Sequence, residues 1–420
     1  MFILLDDITN FLYSFVSWLH SLTVLQILGI VSFASIDVLR TLSKFVMIVI
    51  LKIKARYKPT QFPIHYPKIS LLVPAHNESG SIAKTIASIL ENKYPNKEVI
   101  IIDDHSSDST YKQVSYRTQP GVVKVVRRME GLGSKAAAIN FGALFSTGDI
   151  LMIMDGDTLI ERNALRETAK YLNLPNVVAI AGNVRVLSGD DDKTNILTKS
   201  QSYEYITAFE LGRRIRLMTN LLIIIPGSFG AFKKEIAKKI GLYDKDTITE
   251  DFDLTVKLFK TGGRVLFVPD AIAWTYCPNN WKAWIRQRLR WTHGQISTLM
   301  KHRDVITSRN VAYKNVFILS VLDMFFMDIF LLAARMISLC WVVSLYGFTN
   351  SLLYVFFLIF IIYFVNELLA ICAAGISSPN RSDLKYVYLV PFIIFVYRPI
   401  YGFVRAYAYV TAFLKKQIKW

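Results

Sequence analysis

Apolar residues follow two different patterns along this chain, long charge-free runs near both ends and short runs between them. Residues 8–36 contain no Asp, Glu, Lys or Arg. That run exceeds the roughly 20 residues that an apolar helix needs to cross a bilayer. A second charge-free run covers residues 336–366, with a turn-like Tyr346–Asn350 inside it. Both ends of the chain are therefore predicted to enter a membrane.

Three membrane segments are predicted in the C-terminal part, at about residues 316–344, 351–374 and 386–413. Three full spans would leave the Lys-rich C-terminus outside, against the positive-inside rule, whereas a break at Arg398–Pro399 would return it to the cytosol. Both topologies stay open. Charged side chains inside such segments face a polar cavity or form mutual salt bridges. The charges concerned are Asp323, Asp328, Arg335, Glu367, Arg398 and Arg405.

The residues that follow the first charge-free run are basic. This predicts an N-terminus outside the membrane and residues 44–58 on the cytosolic side. Because Arg40 and Lys44 interrupt the apolar pattern, residues 37–51 are expected to form an interfacial helix rather than a second span. The predicted divisions are a membrane and interfacial segment at 1–58, an α/β domain at 59–278, amphipathic interfacial helices at 279–314 and a membrane bundle at 315–420.

From residue 68 onward, short apolar runs alternate with helix-like segments. This alternation predicts an α/β fold with a parallel, doubly wound sheet and helices on both of its faces. The predicted strands are residues 69–74, 98–103, 122–126, 150–154, 177–181 and 265–268, and the predicted helices include residues 81–91, 134–145 and 161–172.

A basic, Trp-rich segment at residues 279–303 has helical spacing and two unlike faces. The apolar face carries Trp281, Ile285, Leu289 and Ile296, and the opposite face carries Gln287, Arg290, Trp291 and Gly294. We expect the apolar face to lie on the membrane surface or on the α/β domain. An amide, a guanidinium and an indole side by side are unusual if the other face serves packing alone.

Composition agrees with a membrane protein that has a cytosolic part. The 420 residues are 53% hydrophobic, which is too apolar for a purely soluble protein, and the net charge is +17. Many Lys and Arg residues flank the membrane segments, which indicates contact with an anionic leaflet rather than nucleic acid. The three cysteines, Cys277, Cys340 and Cys372, lack the spacing of a metal site, and a disulfide framework is not expected.

Residues 148–158 read GDILMIMDGDT, an apolar strand that stops at Asp155, Gly156 and Asp157. In open α/β sheets, ligands bind beyond the carboxyl ends of the strands. Two aspartates placed there suit a hard divalent cation, Mg²⁺ or Mn²⁺, that is shared with substrate phosphates. An ordinary Asp-Gly turn is the alternative interpretation.

Four further polar motifs lie beside predicted strands or helices. PAHNE at residues 74–78 follows the first strand, DDHSSD at 103–108 follows the second, and TED at 249–251 precedes a helix. GLGSK at 131–135 opens a helix, whose N–H groups and Lys135 could meet a diphosphate. Each motif is weak alone, and a single histidine such as His76 is more often structural than a ligand.

Together with QRLRW at Gln287–Trp291, this series of motifs resembles the processive membrane glycosyltransferases of glycosyltransferase family 2, which include cellulose, hyaluronan and poly-N-acetylglucosamine synthases. The resemblance covers about residues 68–303. It implies a GT-A domain, which is a Rossmann-like nucleotide-sugar binder on the cytoplasmic side of the cell membrane. It also implies a UDP-sugar donor and Mg²⁺ or Mn²⁺ as cofactor.

The resemblance implies a role for each donor-site residue. The loop with His76 and Glu78 would surround the uracil, although the family usually has Tyr in place of His76. Asp104, with Asp103 beside it, would accept from the uracil N3–H group. Lys135 would neutralise the diphosphate, Asp155 and Asp157 would hold the metal, and Arg290 would face the leaving pyrophosphate.

On the acceptor side, the resemblance makes Asp251 the general base and Glu250 a helper. Gln287 and Trp291 would bind the acceptor, with Trp291 stacked on its terminal sugar ring. Asn183, Glu204, Gly227 and Ser228 match acceptor-lining elements more loosely. One base without a nucleophile suits an inverting transfer that gives a β-linkage.

The acceptor is open at the sequence level. The leading hypothesis is a growing polysaccharide that the membrane bundle also translocates. Ceramide glucosyltransferases have a similar layout, so a membrane lipid is the alternative acceptor. A third hypothesis, an inactive transport or scaffold subunit, conflicts with the presence of every expected carboxylate. The sugar, the linkage and the need for an accessory subunit do not follow from the sequence.

Overall fold

The computed structural model describes residues 2–55, 66–129, 134–187, 194–221, 224–308, 311–325, 330–347 and 349–414. Within these ranges, eight strands form one sheet. They are β1 (Ile69–Ala75), β2 (Lys97–Asp104), β3 (Val123–Arg128), β4 (Ile150–Met154), β5 (Leu159–Ile160), β6 (Val177–Val186), β7 (Phe229–Lys233) and β8 (Arg264–Thr275).

Helices precede the sheet, cover it and follow it. They are α1 (Phe2–Ser21), α2 (Val24–Ala55), α3 (Ile82–Leu90), α4 (Thr110–Ser115), α5 (Lys135–Ala143), α6 (Ala164–Leu172), α7 (Ile196–Ile206), α8 (Arg214–Met218), α9 (Lys234–Lys239), α10 (Glu250–Lys260), α11 (Trp281–Lys301), α12 (Val311–Phe325), α13 (Leu331–Tyr346), α14 (Asn350–Ser377), α15 (Val390–Phe392) and α16 (Arg398–Phe413). Two segments, Thr207–Arg213 and Ile393–Tyr397, are π-helical, and Arg303–Thr307 and Arg381–Leu389 are 3₁₀-helical.

The sheet is mixed rather than parallel. Its order is β3-β2-β1-β4-β7-β6-β8-β5. The first four strands in this order are parallel, but β7 is antiparallel to both of its neighbours, and β5 is antiparallel to β8. The expectation of a parallel sheet throughout is therefore wrong. Strand β7 was not predicted, because its five residues FGAFK contain a glycine and give little sign of a buried strand.

Helices pack on both faces of the sheet, as predicted. Because successive strand residues point to opposite sides, Leu71 and Val73 of β1 face one core and Leu72 faces the other. The first core contains Ile82, Ile86 and Ile89 of α3 and Leu165 and Leu172 of α6. The second contains Ile139 of α5, Ala237 of α9 and Leu254 and Leu258 of α10.

Two strands extend well beyond their predicted ends. β6 has 10 residues and β8 has 12, although only short apolar runs were recognised in each. The later part of β6 contains Asn183 and Arg185, which are buried and bonded to Glu210. Polar residues buried in pairs interrupt the apolar pattern without ending the strand.

The N-terminal helices differ from the prediction. The charge-free run of residues 8–36 is divided at Leu22–Thr23. The Thr23 N–H donates to Gln26 Oε1 over 2.9 Å at the start of α2. Because α2 is continuous from Val24 to Ala55, residues 37–51 do not form a separate interfacial helix. Two of its charges bind neighbouring helices, since Asp37 accepts from Arg335 at 2.6 Å and Arg40 donates to Asp323 at 2.9 Å.

The last two predicted membrane segments correspond largely to α14 and to the helical residues that end with α16. Two stretches of the described residues, Ser351–Ser377 and Ser382–Ala412, are long and apolar enough to cross a membrane. The break considered at Arg398–Pro399 is not observed, because a π-helical turn precedes Pro399 and the helix continues. Predicted segment 316–344 corresponds to α12 and α13, between which residues 326–329, including Asp328, lie outside the described residues.

The charged residues of the predicted membrane segments have ionic or aromatic partners where the structure describes them. Arg398 binds Glu367 at 2.8 Å, and Arg335 and Asp323 have the partners given above. Arg405 stacks on the Tyr401 ring at 5.5 Å. These contacts agree with the salt-bridge interpretation.

Candidate active site

The carboxyl ends of β1, β2 and β4 meet at one edge of the sheet and form a cleft of about 330 Å³. All lining residues except Ala138 of α5 come from four of the predicted motifs. They are Pro74, Ala75, His76, Glu78, Asp104, Lys135, Ala138, Asp155, Gly156 and Asp157. A larger cavity of about 580 Å³ lies at the opposite edge, where Lys233, Lys234 and Lys238 line it. Because none of the predicted site residues lines that cavity, we assign the site to the smaller cleft.

The loops after β1 and β2 are tied together. His76 Nδ1 lies 2.8 Å from the Asp104 carbonyl oxygen, which can only accept, so Nδ1 carries the proton. Asn77 has a positive φ of 56° and directs its Oδ1 to the Ser107 N–H at 2.9 Å. Asparagine tolerates this left-handed conformation better than most residues. His76 and Asp104 are therefore held beside each other on the cleft wall.

Two arginines at the end of β3 neutralise the aspartates of DDHSSD. Arg128 donates to Asp104 Oδ1 at 2.6 Å, and Arg127 donates to Asp103 Oδ2 at 2.9 Å. Asp103 is fully buried and does not line the cleft, whereas Asp104 does. Neither arginine was predicted as a site residue, although the parallel register of β2 and β3 places both directly opposite these aspartates.

The turn after β4 brings Asp155 and Asp157 into the cleft. Gly156 allows this, because a Cβ atom there would lie 3.1 Å from Glu78 Cγ. Thr85 of α3 fixes the turn by donating to the Gly156 carbonyl at 2.8 Å. Burial, with the charges of Asp155 and Glu78, raises the pKa of Asp157 to about 6. Negative charge is thus concentrated where a cation would be stabilised.

Lys135 is the cation closest to this turn. Its Nζ donates to Asp155 Oδ1 and, over 3.1 Å, to the Gly227 carbonyl. Burial lowers the pKa of Lys135, but Asp155, Glu250 and Asp251 outweigh burial and raise the pKa above its ordinary value. Lys135 is therefore charged at neutral pH. Residues 131–133 of the GLGSK motif lie outside the described residues.

Gly227 connects Lys135 with Asp251. While its carbonyl accepts from Lys135, its N–H donates to Asp251 Oδ2 at 3.0 Å. A Cβ on Gly227 would lie 3.1 Å from Lys135 Nζ and 3.5 Å from Asp251 Oδ2. Gly227 reaches this edge because antiparallel β7 starts opposite the end of β4, with Phe229 paired to Met154. Ser228 is half-buried beside it.

The TED motif forms the start of α10. Asp251 Oδ1 accepts from the Phe252 N–H at 2.8 Å, so both carboxylate oxygens of Asp251 have a backbone donor. Burial raises the pKa of Glu250; Lys135 and Arg290 oppose this effect, and Asp251 adds to it. Arg290 is exposed, yet near enough to Glu250 to act on its charge.

Helix α11 presents the QRLRW motif and packs against the TED turn. A Cβ on Gly294 would lie 2.3 Å from Thr249 Cγ2, so only glycine permits this approach. Gln287 and Trp291 are half-buried, and the fully buried Arg288 lies between them in the chain. On the other side, Trp281, Ile285 and Leu289 pack against the C-terminal helices. The apolar face therefore does not lie on the membrane surface or on the α/β domain, as we expected, because the C-terminal helices cover it.

Two residues of the looser match have structural contacts. Asn183 is fully buried and donates to Glu210 Oε1 at 2.7 Å and to the Pro269 carbonyl at 2.8 Å. Glu204 forms an ion pair with Arg288 at 2.7 Å. Neither lines the cleft.

The residues present fit a divalent cation that shares its ligands with a substrate. No group of three or more His, Cys, Asp or Glu side chains within the described ranges could hold a metal ion. Asp155 and Asp157 supply two carboxylates, which is the usual protein share at sites where phosphate oxygens complete the coordination. A bound cation would lower the raised pKa of Asp157, because positive charge stabilises the carboxylate.

Comparison with known proteins gives one family and several relatives. The model of a family described as "Glycosyltransferase like family 2" matches residues 67–294, more than half of the chain. The structure is similar to a mannosyltransferase from Pyrobaculum calidifontis, solved with GDP-Man and Mn²⁺, with a TM-score of 0.57 and 18% identity over 92% of this chain and 100% of that chain. At this identity the likeness shows the fold, which is of the GT-A kind.

Two curated relatives are more similar in sequence. A probable glycosyltransferase of Bacillus subtilis, YdaM, is 31% identical over 241 residues, 56% of this chain and 57% of the relative. The poly-beta-1,6-N-acetyl-D-glucosamine synthase of Staphylococcus aureus is 32% identical over 234 residues, 56% of each chain. The match therefore spans just over half the length of each relative.

Proposed function

The chain belongs to glycosyltransferase family 2, and from this premise we propose that it is a membrane-bound inverting transferase that adds sugars from a UDP-sugar to a polysaccharide. The observation that carries the proposal is the convergence of Lys135, Asp155 and Asp251 around the backbone of Gly227. A cation for the leaving group and a carboxylate for the attacking hydroxyl stand on opposite sides of one glycine. Relatedness to a poly-N-acetylglucosamine synthase supports a polysaccharide product.

The nucleotide binds in the cleft beside β1 and β2. Asp104 accepts from the uracil N3–H group, and the bond that its Oδ1 accepts from Arg128 holds the carboxylate in position. His76, whose Nδ1 proton is held by the Asp104 carbonyl, presents its ring to the base. Asp103 forms an ion pair with Arg127 and thereby stabilises the position of the neighbouring Asp104.

In the chemical step, Asp251 takes the proton of the acceptor hydroxyl as that oxygen attacks the anomeric carbon. The new C–O bond forms while the bond from this carbon to the diphosphate breaks, and UDP leaves with the electron pair. Lys135 and Arg290 face the negative charge that develops on the diphosphate. Glu250 assists Asp251 by keeping Lys135 in place through its charge.

Asp155 and Asp157 hold Mg²⁺ or Mn²⁺ in this proposal. When bound, the cation supplies Lewis-acid stabilisation of the diphosphate. Glu78, whose charge acts on Asp157, orients the turn through its position against Gly156.

The acceptor occupies the side formed by α11, Gly227 and Ser228. Trp291 stacks on the terminal sugar ring, and Gln287 binds its hydroxyl groups. The close contact of Gly294 with Thr249 supports this placement, because it fixes α11 relative to Asp251.

The membrane anchors the enzyme through the helices before residue 59 and after residue 314, with the catalytic domain at 59–278 on the cytoplasmic side. Ser351–Ser377 and Ser382–Ala412 support spans in the second of these regions. The product leaves the acceptor site through the membrane bundle at 315–420.

The test is UDP release by membranes that contain the chain, measured against a panel of UDP-sugars and followed by sizing of the product. We expect release with one UDP-sugar, dependence on Mg²⁺ or Mn²⁺, and a polymeric product. A product that consists of one sugar on a lipid would show that the acceptor is a lipid rather than a polysaccharide. No release with any UDP-sugar would contradict the proposed donor.

A further inference from the structure

Arg288 is a fully buried cation on the helix that carries the acceptor residues. Its side chain is 0% exposed, although the residues beside it, Gln287 and Leu289, are half-buried. It stands between the residues of the QxxRW signature without being one of them. A buried charge is costly to desolvate, so its contacts need to compensate.

The guanidinium of Arg288 contacts both acceptor residues of the helix. Its carbon lies 4.4 Å from the centre of the Trp291 ring, within the range of a cation–π contact. Nη1 donates to Gln287 Oε1 at 3.0 Å. One planar group therefore fixes the indole and the amide that face the acceptor.

Arg288 is in turn fixed by two other parts of the chain. Nη2 donates to Glu204 Oε2 of α7 at 2.7 Å. The same oxygen accepts from the Tyr397 hydroxyl, at the end of the π-helical turn in the last membrane segment. Tyr397 also accepts from the Trp284 indole N–H at 3.0 Å. Burial lowers the pKa of Arg288, but Glu204 and the surrounding tyrosines outweigh burial and raise it.

A lysine cannot reproduce this arrangement. Arginine can stack one face on an indole while its edge donates to two acceptors, whereas an ammonium is a compact charge without a plane. Through Tyr397, the arrangement also links the last membrane segment to the acceptor residues. A displacement of the last membrane segment moves Glu204 and Arg288, and with them Trp291.

We propose that Arg288 is a positioning residue for the acceptor site, and that Glu204 and Tyr397 make the last membrane segment part of that site. The inference rests on the proposed function for the nature of the bound group, a sugar at Trp291. It predicts that changes in this network alter the binding of the acceptor rather than the binding of the donor.

The first test is acceptor kinetics for Arg288→Met and Arg288→Lys at saturating UDP-sugar, with an added oligosaccharide of the product type. We expect KM for the acceptor to rise about tenfold in both variants, and the rate at saturating acceptor to fall less than about threefold. Tyr397→Phe should raise the same KM by a smaller factor. A merely structural role would lower the rate with the folded fraction and leave KM unchanged.

Matched controls lie on the same elements. Arg286 is exposed on α11, and Tyr407 is exposed on α16. Arg286→Met and Tyr407→Phe should keep the wild-type KM and rate. An acceptor KM in Arg288→Met equal to that of Arg286→Met would overturn the inference.

A second measurement is independent of the reaction. The fluorescence of Trp291 is isolated as the difference between each protein and its Trp291→Phe counterpart, and acrylamide quenching of that difference is recorded. We expect quenching to increase at least about twofold in Arg288→Met, because the indole loses its buried partner. Equal quenching in Arg288→Met and the wild type would overturn the inference, even if no UDP-sugar proved to be a substrate.

Discussion

Gly294 of α11 approaches Thr249 so closely that a methyl group on Gly294 would lie 2.3 Å from Thr249 Cγ2. Thr249 is the residue immediately before α10, whose first two residues are Glu250 and Asp251. The helix with the acceptor residues and the turn with the proposed base therefore pack with backbone against side chain. The absence of a side chain at Gly294 therefore determines how closely α11 approaches the TED turn.

Gly294→Ala should separate α11 from the TED turn. We expect transfer to fall by about tenfold or more, since a displacement of about 1 Å from the productive geometry has effects of this size, and unfolding to become easier by about 1–3 kcal/mol through overpacking. Gly80→Ala is the control, because a Cβ there would contact no atom within 4 Å. Equal turnover in the two variants would show that the approach has no role in catalysis.

Asp251→Asn should reduce the rate at saturating donor by roughly 10²–10⁴-fold while UDP-sugar affinity changes little. The amide cannot take the hydroxyl proton, and its NH₂ group faces one of the two backbone donors, Gly227 or Phe252. Asp246→Asn, at an exposed position, serves as control. The proposed base would be wrong if donor affinity were lost and the saturated rate remained.

Asp157→Asn should separate activity from stability. Transfer should fall by more than about a hundredfold because a neutral amide replaces a charged carboxylate ligand of the proposed metal. The metal-free protein should be more stable at pH 7 by on the order of 1 kcal/mol, because an uncharged amide replaces a carboxylate whose pKa is raised to about 6. Thermal unfolding without metal measures the second effect. Asp149→Asn, exposed at the other end of β4, should change neither property.

The same pKa predicts how metal binding depends on pH. Since the folded protein holds the Asp157 proton more tightly than the unfolded chain, its contribution to stability is largest below about pH 4 and is lost as the pH rises through 6. Metal binding needs the carboxylate. Mn²⁺ affinity should therefore fall by up to about tenfold per pH unit below 6, measured by calorimetry. A curve as flat as that of Asp157→Asn would contradict this assignment.

The two faces of α11 should respond differently to truncation. Trp281 packs 5.4 Å from Trp284, in the cluster with Tyr397. Trp281→Ala should therefore destabilise the protein by about 3 kcal/mol. Trp291→Ala should instead impair product elongation more than UDP release without acceptor. Shortened product from a stable Trp281→Ala protein, with normal product from Trp291→Ala, would reverse the proposed facing.

The donor edge of the sheet could be predicted from the sequence because each apolar run ends at polar residues. The strand of residues 150–154 has the predicted bounds, and parallel pairing then brings Asp104 and Asp155 to one edge. Parallel neighbours have this property whatever loops connect them.

The acceptor side could not be predicted as far. Nothing in FGAFK indicates that β7 runs antiparallel, so the position of Gly227 between Lys135 and Asp251 was not foreseeable from spacing. No role for Arg288 was predicted from the sequence. It is buried because Glu204, 84 residues away, and Tyr397 surround it, and such distant pairing leaves no local pattern.

The reversal of β7 also affects how the protein can evolve. Strand β7 joins two parts of the sheet, and each part is nearly contiguous in the chain. The first part is β1 to β4 with the aspartates of the cleft. The second part is β6 to β8 with Asp251 and, beyond them, α11. Apart from β5, which pairs with β8, and α6, which packs on β6 and β8, recombination between relatives in the loop of residues 173–176 would exchange whole parts. A recombinant would inherit the proposed base together with the proposed acceptor site. Under the proposed function, recognition of the nucleotide base and recognition of the acceptor would therefore diverge separately. The diphosphate site, with Lys135 in one part and Arg290 in the other, would depend on both.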